Sequence, residues 1–261
     1  MGVKDIITSS QLPTKYQSYK LIPTTHGVMA SVYLLDDKYV LKLFELNRPF
    51  ITIESEIRLL NSLKELCIPQ IIDNFQINNH QVVIYTQIKG KIISNPISKD
   101  IEQIALFLKK FHNQSKNIKL KNKRLFERDR LKSLISLTKN RSLLNHFEKI
   151  SLQPNHNGII HGDLFIDNCK FLNNKLSGVF DFSDACCGDF HFDLAVVVVG
   201  WCFDGDILNR QKVDILLTSY QSDIEYQLFE EYIKYALLYY ATTRFISNRD
   251  GDELLRRLEY L

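Results

Sequence analysis

The sequence predicts an α+β fold in two lobes: a small antiparallel sheet with one helix, then a larger, mainly helical lobe. Three observations predict it. The first ninety residues carry short β-prone runs separated by polar turns. From residue 98 onward apolar residues recur chiefly at helical spacing. Lys89-Gly90 separates the two regimes, which places a boundary between residues 1–88 and 89–261. Two lobes joined by so short a connection should face a cleft, and ligand sites concentrate at such interfaces.

In chain order, Val32–Leu35 and Tyr39–Phe44 flank the turn Asp36-Asp37-Lys38 and predict a hairpin. Ile53, Ile57, Leu60 and Leu63 recur at helical spacing and predict a helix that closes before Pro69. Two further strands, 70–77 and 81–88, are joined by Asn78-Asn79. Ile101, Ile104, Ala105, Leu108 and Phe111 share one face and predict an amphipathic helix over 98–115. A second helical run covers 128–150. A strand-rich island follows over 158–182, turning at Asn173-Asn174. The remainder (189–201, 209–220, 225–247 and the tail) reads as helix.

Composition narrows the class. The chain has 261 residues, 45% of them hydrophobic and 24% charged, the balance of an ordinary globular protein. A net charge of +3 is too mild to predict a nucleic-acid or membrane partner. The basic run from Lys116 to Lys132 reads as a solvated face, because no aromatic interleaving beyond Phe126 supports base stacking. Five cysteines at irregular spacing argue against a disulfide framework and for a cytoplasmic setting. Cys186, Cys187, His191 and Cys202 do not fit the paired spacing of a zinc site. No signal peptide or membrane span is expected.

The chemistry is concentrated in His161-Gly-Asp-Leu-Phe-Ile-Asp-Asn168 and Gly178-Val-Phe-Asp181-Phe182. Asp163 precedes Asn168 by five residues, and Asn168 precedes Asp181 by thirteen. That order matches the phosphotransfer pattern H-R-D-x-x-x-x-N followed by D-F-G. A hairpin of this length can return Asp181 to the side of Asn168. Phosphoryl transfer needs a carboxylate to accept a hydroxyl proton and oxygen ligands to hold Mg²⁺. A Walker sequence is absent, which argues against the P-loop class.

On these words, with Asp193-Leu-Ala195 twelve residues after Asp181, the chain resembles the aminoglycoside phosphotransferase and choline kinase superfamily, which has the protein-kinase-like fold. Within it, Asp184-Ala-Cys186, Gly200-Trp-Cys202 and Arg244-Phe-x-x-x-Arg249 are similar to homoserine kinases. The resemblance implies ATP and Mg²⁺ as cofactors and a small-molecule hydroxyl as acceptor. Asp163 would be the catalytic base, with His161 beside it; Asn168 and Asp181 would hold Mg²⁺. Lys42 would contact the ATP phosphates and pair with Glu56, with Glu54 as the alternative. Thr86, Gln87 and Ile88 would form the adenine hinge, and Gly27 and Ser31 would cover the phosphates. Arg244, Arg249 and Asp184 would bind substrate.

Simpler roles stay open for several of these residues. Lys42 also reads as an edge-strand lysine, His161 as a structural support for its loop, and Arg244 and Arg249 as salt-bridged helix residues. Asp193 reads either as a helix N-terminal acid or as an anchor for the catalytic-loop backbone. Homoserine is the favoured acceptor. Choline, an aminoglycoside or a sugar is the first alternative, and a catalytically silent kinase-like binding module the second. Only the segment from Phe182 to Phe192 separates Asp181 from Asp193, too little for an activation loop, so protein-kinase activity is disfavoured.

Overall fold

Alternation along the second hairpin strand decides which side chains face α1 and the main core. The computed structural model describes residues 5–24, 30–63, 65–121 and 124–261. Strands β1 (Leu21–Pro23), β2 (Ala30–Leu35), β3 (Tyr39–Phe44), β4 (Ile71–Ile77) and β5 (His80–Thr86) form one antiparallel sheet in the order β1-β2-β3-β5-β4. Leu41, Leu43, Val82 and Ile84 pack on one face with Tyr33, Leu35 and the N-terminal residues Ile7, Leu12 and Tyr16. Phe44, Val83 and Tyr85 pack on the other, toward helix α1 (Phe50–Ser62) and the main core. A period of two therefore sends Lys42 to the α1 side. Asn78 and Asn79 take φ of 50° and 67°, the left-handed conformation that a tight hairpin turn demands.

The large lobe begins after Gly90, where φ is +108° and an added Cβ would lie 2.3 Å from the Phe171 carbonyl oxygen. Glycine alone meets both conditions there. Helix α2 (Ser98–Ser115) buries the predicted face: Ile101, Ile104, Ala105, Leu108 and Phe111 are all inaccessible. The helical run predicted over 128–150 is two helices, α3 (Arg128–Thr138) and α4 (Arg141–Lys149). Lys139 turns left-handed at φ 53°, and the Asn140 side chain then accepts the Ser142 and Leu143 N–H groups as a new N-cap. The apolar periodicity continues through this break, which is why the sequence reads as one helix.

Three short pairings follow. Strand β6 (Gly158–Ile160) pairs antiparallel with β9 (Cys186–Gly188), and β7 (Cys169–Leu172) pairs with β8 (Lys175–Val179). Helix α5 (Phe190–Trp201) is buried on all sides from Phe192 to Val199, as the apolar run Leu194–Val199 requires, with Asp193 a buried carboxylate in its first turn. A hairpin the periodicity did not announce, β10 (Phe203–Asp204) with β11 (Ile207–Leu208), leads to α6 (Arg210–Tyr220), α7 (Tyr226–Ile246) and α8 (Asp252–Glu259). No described helix is long and apolar enough to cross a membrane.

Candidate active site

The β7–β8 hairpin closes the distance between the two halves of the motif. Cys169 pairs with Val179, and just beyond that pair the Phe180 N–H donates to the Asn168 carbonyl at 2.9 Å. Asp181 follows immediately, so thirteen residues of sequence reduce to one step in space. The Asn168 side-chain nitrogen donates to the Asp163 carbonyl at 2.7 Å and to Asp163 Oδ2 at 3.0 Å. This leaves Asn168 Oδ1 as the acceptor end of the amide. Asp163, Asn168 and Asp181 thus belong to one cluster.

Lys42 enters that cluster from the small sheet. Its Nζ donates to Asp181 Oδ1 and to Ser183 Oγ, each at 2.9 Å, and lies 3.8 Å from Glu56 Oε1. Glu56 is buried on α1 and also accepts the Tyr85 hydroxyl at 3.1 Å, whereas Glu54 is exposed. Burial works against the charge on Lys42, but Asp181 and Glu56 outweigh it and raise its pKa. Burial likewise opposes ionisation of Asp181; Lys42 and the Ser183 hydroxyl overcome it and hold the carboxyl well below the usual range. Asp163 is pushed the other way, first by burial and then by the carboxylates of Asp184, Asp181 and Asp167. A carboxylate held at raised proton affinity beside a reacting hydroxyl is suited to general-base work.

The loop carrying Asp163 is fixed through its backbone. Asp193, fully buried on α5, accepts the His161 N–H on Oδ2 and the Gly162 N–H on Oδ1, both at 2.8 Å. The Tyr240 hydroxyl on α7 donates to the Gly162 carbonyl, and Trp201 Nε1 to the Leu164 carbonyl at 3.0 Å. Gly162 adopts φ +76°, and a Cβ there would meet the Phe126 ring at 2.5 Å. Asp193 is itself held by His112 Nε2 at 2.9 Å, whose other ring nitrogen meets the Tyr220 hydroxyl at 2.8 Å.

Two expectations change. His161 is wholly buried; its Nδ1 accepts the Asp163 N–H at 3.2 Å, which fixes the proton on Nε2, donated to the Phe180 carbonyl at 3.1 Å. Burial lowers its pKa. Both ring nitrogens are engaged by the backbone, so His161 supports the loop and is not the catalytic group expected beside Asp163. Ser31 alternates with Val32, which pairs opposite Lys42, and so lies on the sheet face away from the crevice. It is buried there and its hydroxyl accepts the Asp5 N–H at 3.0 Å, which removes it from the phosphate cover. Gly27 lies outside the described residues.

The other predicted residues are spread more widely. Thr86 ends β5, with its N–H on the Gln70 carbonyl; the Gln87 N–H is taken by the Lys38 carbonyl and the Ile88 carbonyl by Lys170 Nζ at 3.2 Å. Asp184 is half-buried, and burial followed by the charge of Asp181 raises its pKa. Arg244 pairs with Glu253 at 3.6 Å, and Arg249 is exposed between α7 and α8. Among the described residues neither arginine pairs with a catalytic-loop side chain. Arg48, Ser183, His112 and Tyr240 were not singled out from sequence. Each acts through a contact to a residue distant along the chain, for which a single sequence carries no signal.

Among the described residues no three His, Cys, Asp or Glu side chains are arranged to hold a metal by themselves. The donor set nevertheless fits Mg²⁺, which takes oxygen ligands, needs one or two from protein, and completes its shell with water and phosphate oxygens. Asn168 Oδ1 and the Asp181 carboxylate are the oxygen donors that could supply that pair.

Residues 20–217 match the family described as the phosphotransferase enzyme family. A homoserine kinase of Methylobacterium nodulans is 44% identical over 66 residues, 25% of this chain and 21% of that protein. One of Nitrobacter winogradskyi is 37% identical over 112 residues, 42% of this chain and 34% of that protein. The matched segments thus span about a fifth to a third of these relatives' own length. Among solved structures, the GDP complex of aminoglycoside 2'-phosphotransferase-IIIa superposes with a TM-score of 0.70 at 17% identity, covering 94% of each chain. Choline kinase LicA from Streptococcus pneumoniae gives 0.65 at 15% identity, covering 92% of this chain and 91% of that one. At these identities the structural likeness bears on the fold.

Proposed function

This chain belongs to the phosphotransferase enzyme family, and from that premise we propose that it is an ATP- and Mg²⁺-dependent kinase of a small-molecule hydroxyl, with homoserine the favoured acceptor. One observation carries the reading: Lys42 from the small sheet reaches Asp181, and Asp181 adjoins Asn168 and Asp163, so four groups distant in sequence form one cluster. Residues 1–88 then form the nucleotide lobe and 89–261 the catalytic lobe. Thr86–Ile88 would form the hinge segment against the purine. Mg²⁺, when bound, neutralises phosphate charge and orients the nucleotide. Asn168 and Asp181 would hold it, and Lys42, steadied by Glu56, would bind the α- and β-phosphates. Asp163 orients the acceptor hydroxyl and takes its proton. Its Oδ2 is fixed by Asn168, which leaves Oδ1 for that task. Most of the acceleration comes from positioning and charge compensation.

Homoserine draws support from the relatives above and from α7. Tyr240 of that helix touches the carbonyl of Gly162, next to Asp163, and Arg244 lies one turn further along the same face. Among the described residues the Arg244 guanidinium is paired with Glu253 at 3.6 Å, a partner it can exchange for a substrate carboxylate. Arg249 is the second candidate, and Asp184 a candidate for the substrate ammonium. The test is nucleotide consumption with homoserine, choline, aminoglycosides and simple sugars, using ATP and GTP, with and without Mg²⁺. Turnover of homoserine alone supports the assignment. Turnover of choline or an aminoglycoside alone moves the acceptor, and no turnover with any acceptor favours a silent binding module.

Asp181→Ala should abolish the Mg²⁺-dependent part of nucleotide affinity. Loss of that proposed metal ligand should lower Mg-nucleotide affinity by about two orders of magnitude, about 2.7 kcal/mol. Affinity for metal-free nucleotide should persist, because Lys42 is released toward the phosphates. Calorimetry showing unchanged Mg-ATP affinity would remove Asp181 from the metal site.

A further inference from the structure

Arg48 stands between β3 and α1, outside the motif and outside the roles given above. Its Nη2 donates to the Ser183 carbonyl at 2.8 Å, and its Nε donates to Thr52 Oγ1 at 3.1 Å. Thr52 lies in the first turn of α1, where its hydroxyl bonds the Pro49 carbonyl at 2.7 Å. The Ser183 hydroxyl contacts both Lys42 Nζ and Asp181 Oδ1. One small-lobe arginine therefore grips the backbone of the residue whose side chain sits between the nucleotide lysine and the metal-site acid.

The grip has something to hold. Asp181 adopts φ 62° and ψ 66°, a left-handed conformation that L residues seldom take and that surrounding contacts help to hold. Lys42 restrains the carboxylate of Asp181, and Arg48 restrains the main chain two residues later. Both restraints come from the small lobe, so they act only while the lobes are together.

We infer that Arg48 is a positioning residue for phosphoryl transfer: it fastens the 181–184 turn to the start of α1 through the Ser183 carbonyl, so that approach of the lobes and seating of Asp181 for a divalent cation are one event. The inference rests on the phosphotransferase reading above. A guanidinium is needed because its rigid fork reaches Ser183 and Thr52 at once, which a lysine ammonium on a flexible stem does not reproduce.

The test compares Arg48→Ala and Arg48→Lys with the unaltered chain, measuring calorimetric affinity for ADP with and without Mg²⁺. Amide hydrogen exchange of residues 181–185 is followed in the nucleotide-free protein. Both variants should lose about tenfold in Mg-ADP affinity, equivalent to about 1.4 kcal/mol. They should keep their metal-free ADP affinity and exchange faster at 181–185. An equal loss with and without Mg²⁺ would overturn the inference, since Arg48 would then be a direct phosphate ligand. Unchanged exchange, or full rescue by lysine, would overturn it as well. If the unaltered chain binds no Mg-ADP, the phosphotransferase reading fails instead, and the exchange data still decide whether Arg48 seats the turn.

Discussion

Asp163→Asn should lower kcat by about 10²–10⁴, the range expected when a general base is removed, while Mg-ATP binding survives. The substitution is nearly isosteric. Asn168 keeps its bond to the residue-163 carbonyl, and an asparagine side-chain oxygen can still accept from Asn168 Nδ2. What disappears is a half-buried carboxylate whose pKa is raised by burial and by Asp184, Asp181 and Asp167. Removing a charge that its neighbours repel does not weaken the fold, so the variant should melt at or above the wild-type temperature. Activity and stability should therefore move in different directions. A thermal melt with single-turnover kinetics reads both, and near-normal turnover would dismiss Asp163 as the base.

The parts of this site that were legible in the sequence are those that depend on spacing along one continuous segment. Asp163, Asn168 and Asp181 fall on a loop, a turn and the end of a hairpin whose length follows from Asn173-Asn174, at φ 51° and 58°. Lys42 came from the family resemblance of its strand, and alternation along that strand agrees with the face it takes. The same alternation, applied to β2, would have removed Ser31. The resemblance that suggested Ser31 carries residue type and position but not the face of the strand. His161 shows the opposite limit. Its type suggests proton transfer, but the contacts that fix its tautomer come from the Asp163 N–H and the Phe180 carbonyl, which no pattern in the side chains reveals. The split of α3 from α4 was hidden for a related reason, since apolar positions continue through a break made by the backbone of Lys139 and the side chain of Asn140. Arg48 and His112 become meaningful only when α1, α2 and α5 are packed beside the loops they hold.

Asp193→Ala should be the most destabilising single change near the site. It strands the His161 and Gly162 N–H groups and His112 Nε2 in a region where His161 and Asp193 have no exposure and His112 has 1%. Breaking a buried, hydrogen-bonded charge cluster costs about 3–5 kcal/mol, a large share of the about 5–15 kcal/mol that holds a domain folded. Urea unfolding should show that loss, and amides 161–163 should exchange much faster; a cost below about 1 kcal/mol would contradict the anchor role. The contribution also has a pH signature. Burial opposes ionisation of Asp193, but His112, His161 and the Gly162 N–H outweigh it and lower its pKa. The native carboxylate therefore releases its proton at lower pH than it does in the unfolded chain, where the ordinary value is about 4. Its stabilisation is complete above that value and declines as acid carries the pH down through the lowered native pKa. Wild-type stability should fall over this window more steeply than that of Asp193→Ala, because the variant has already lost the carboxylate that acid would discharge. The loop that presents Asp163 is thus tied to a buried charge, and acid should loosen it before the aliphatic core around α5 responds.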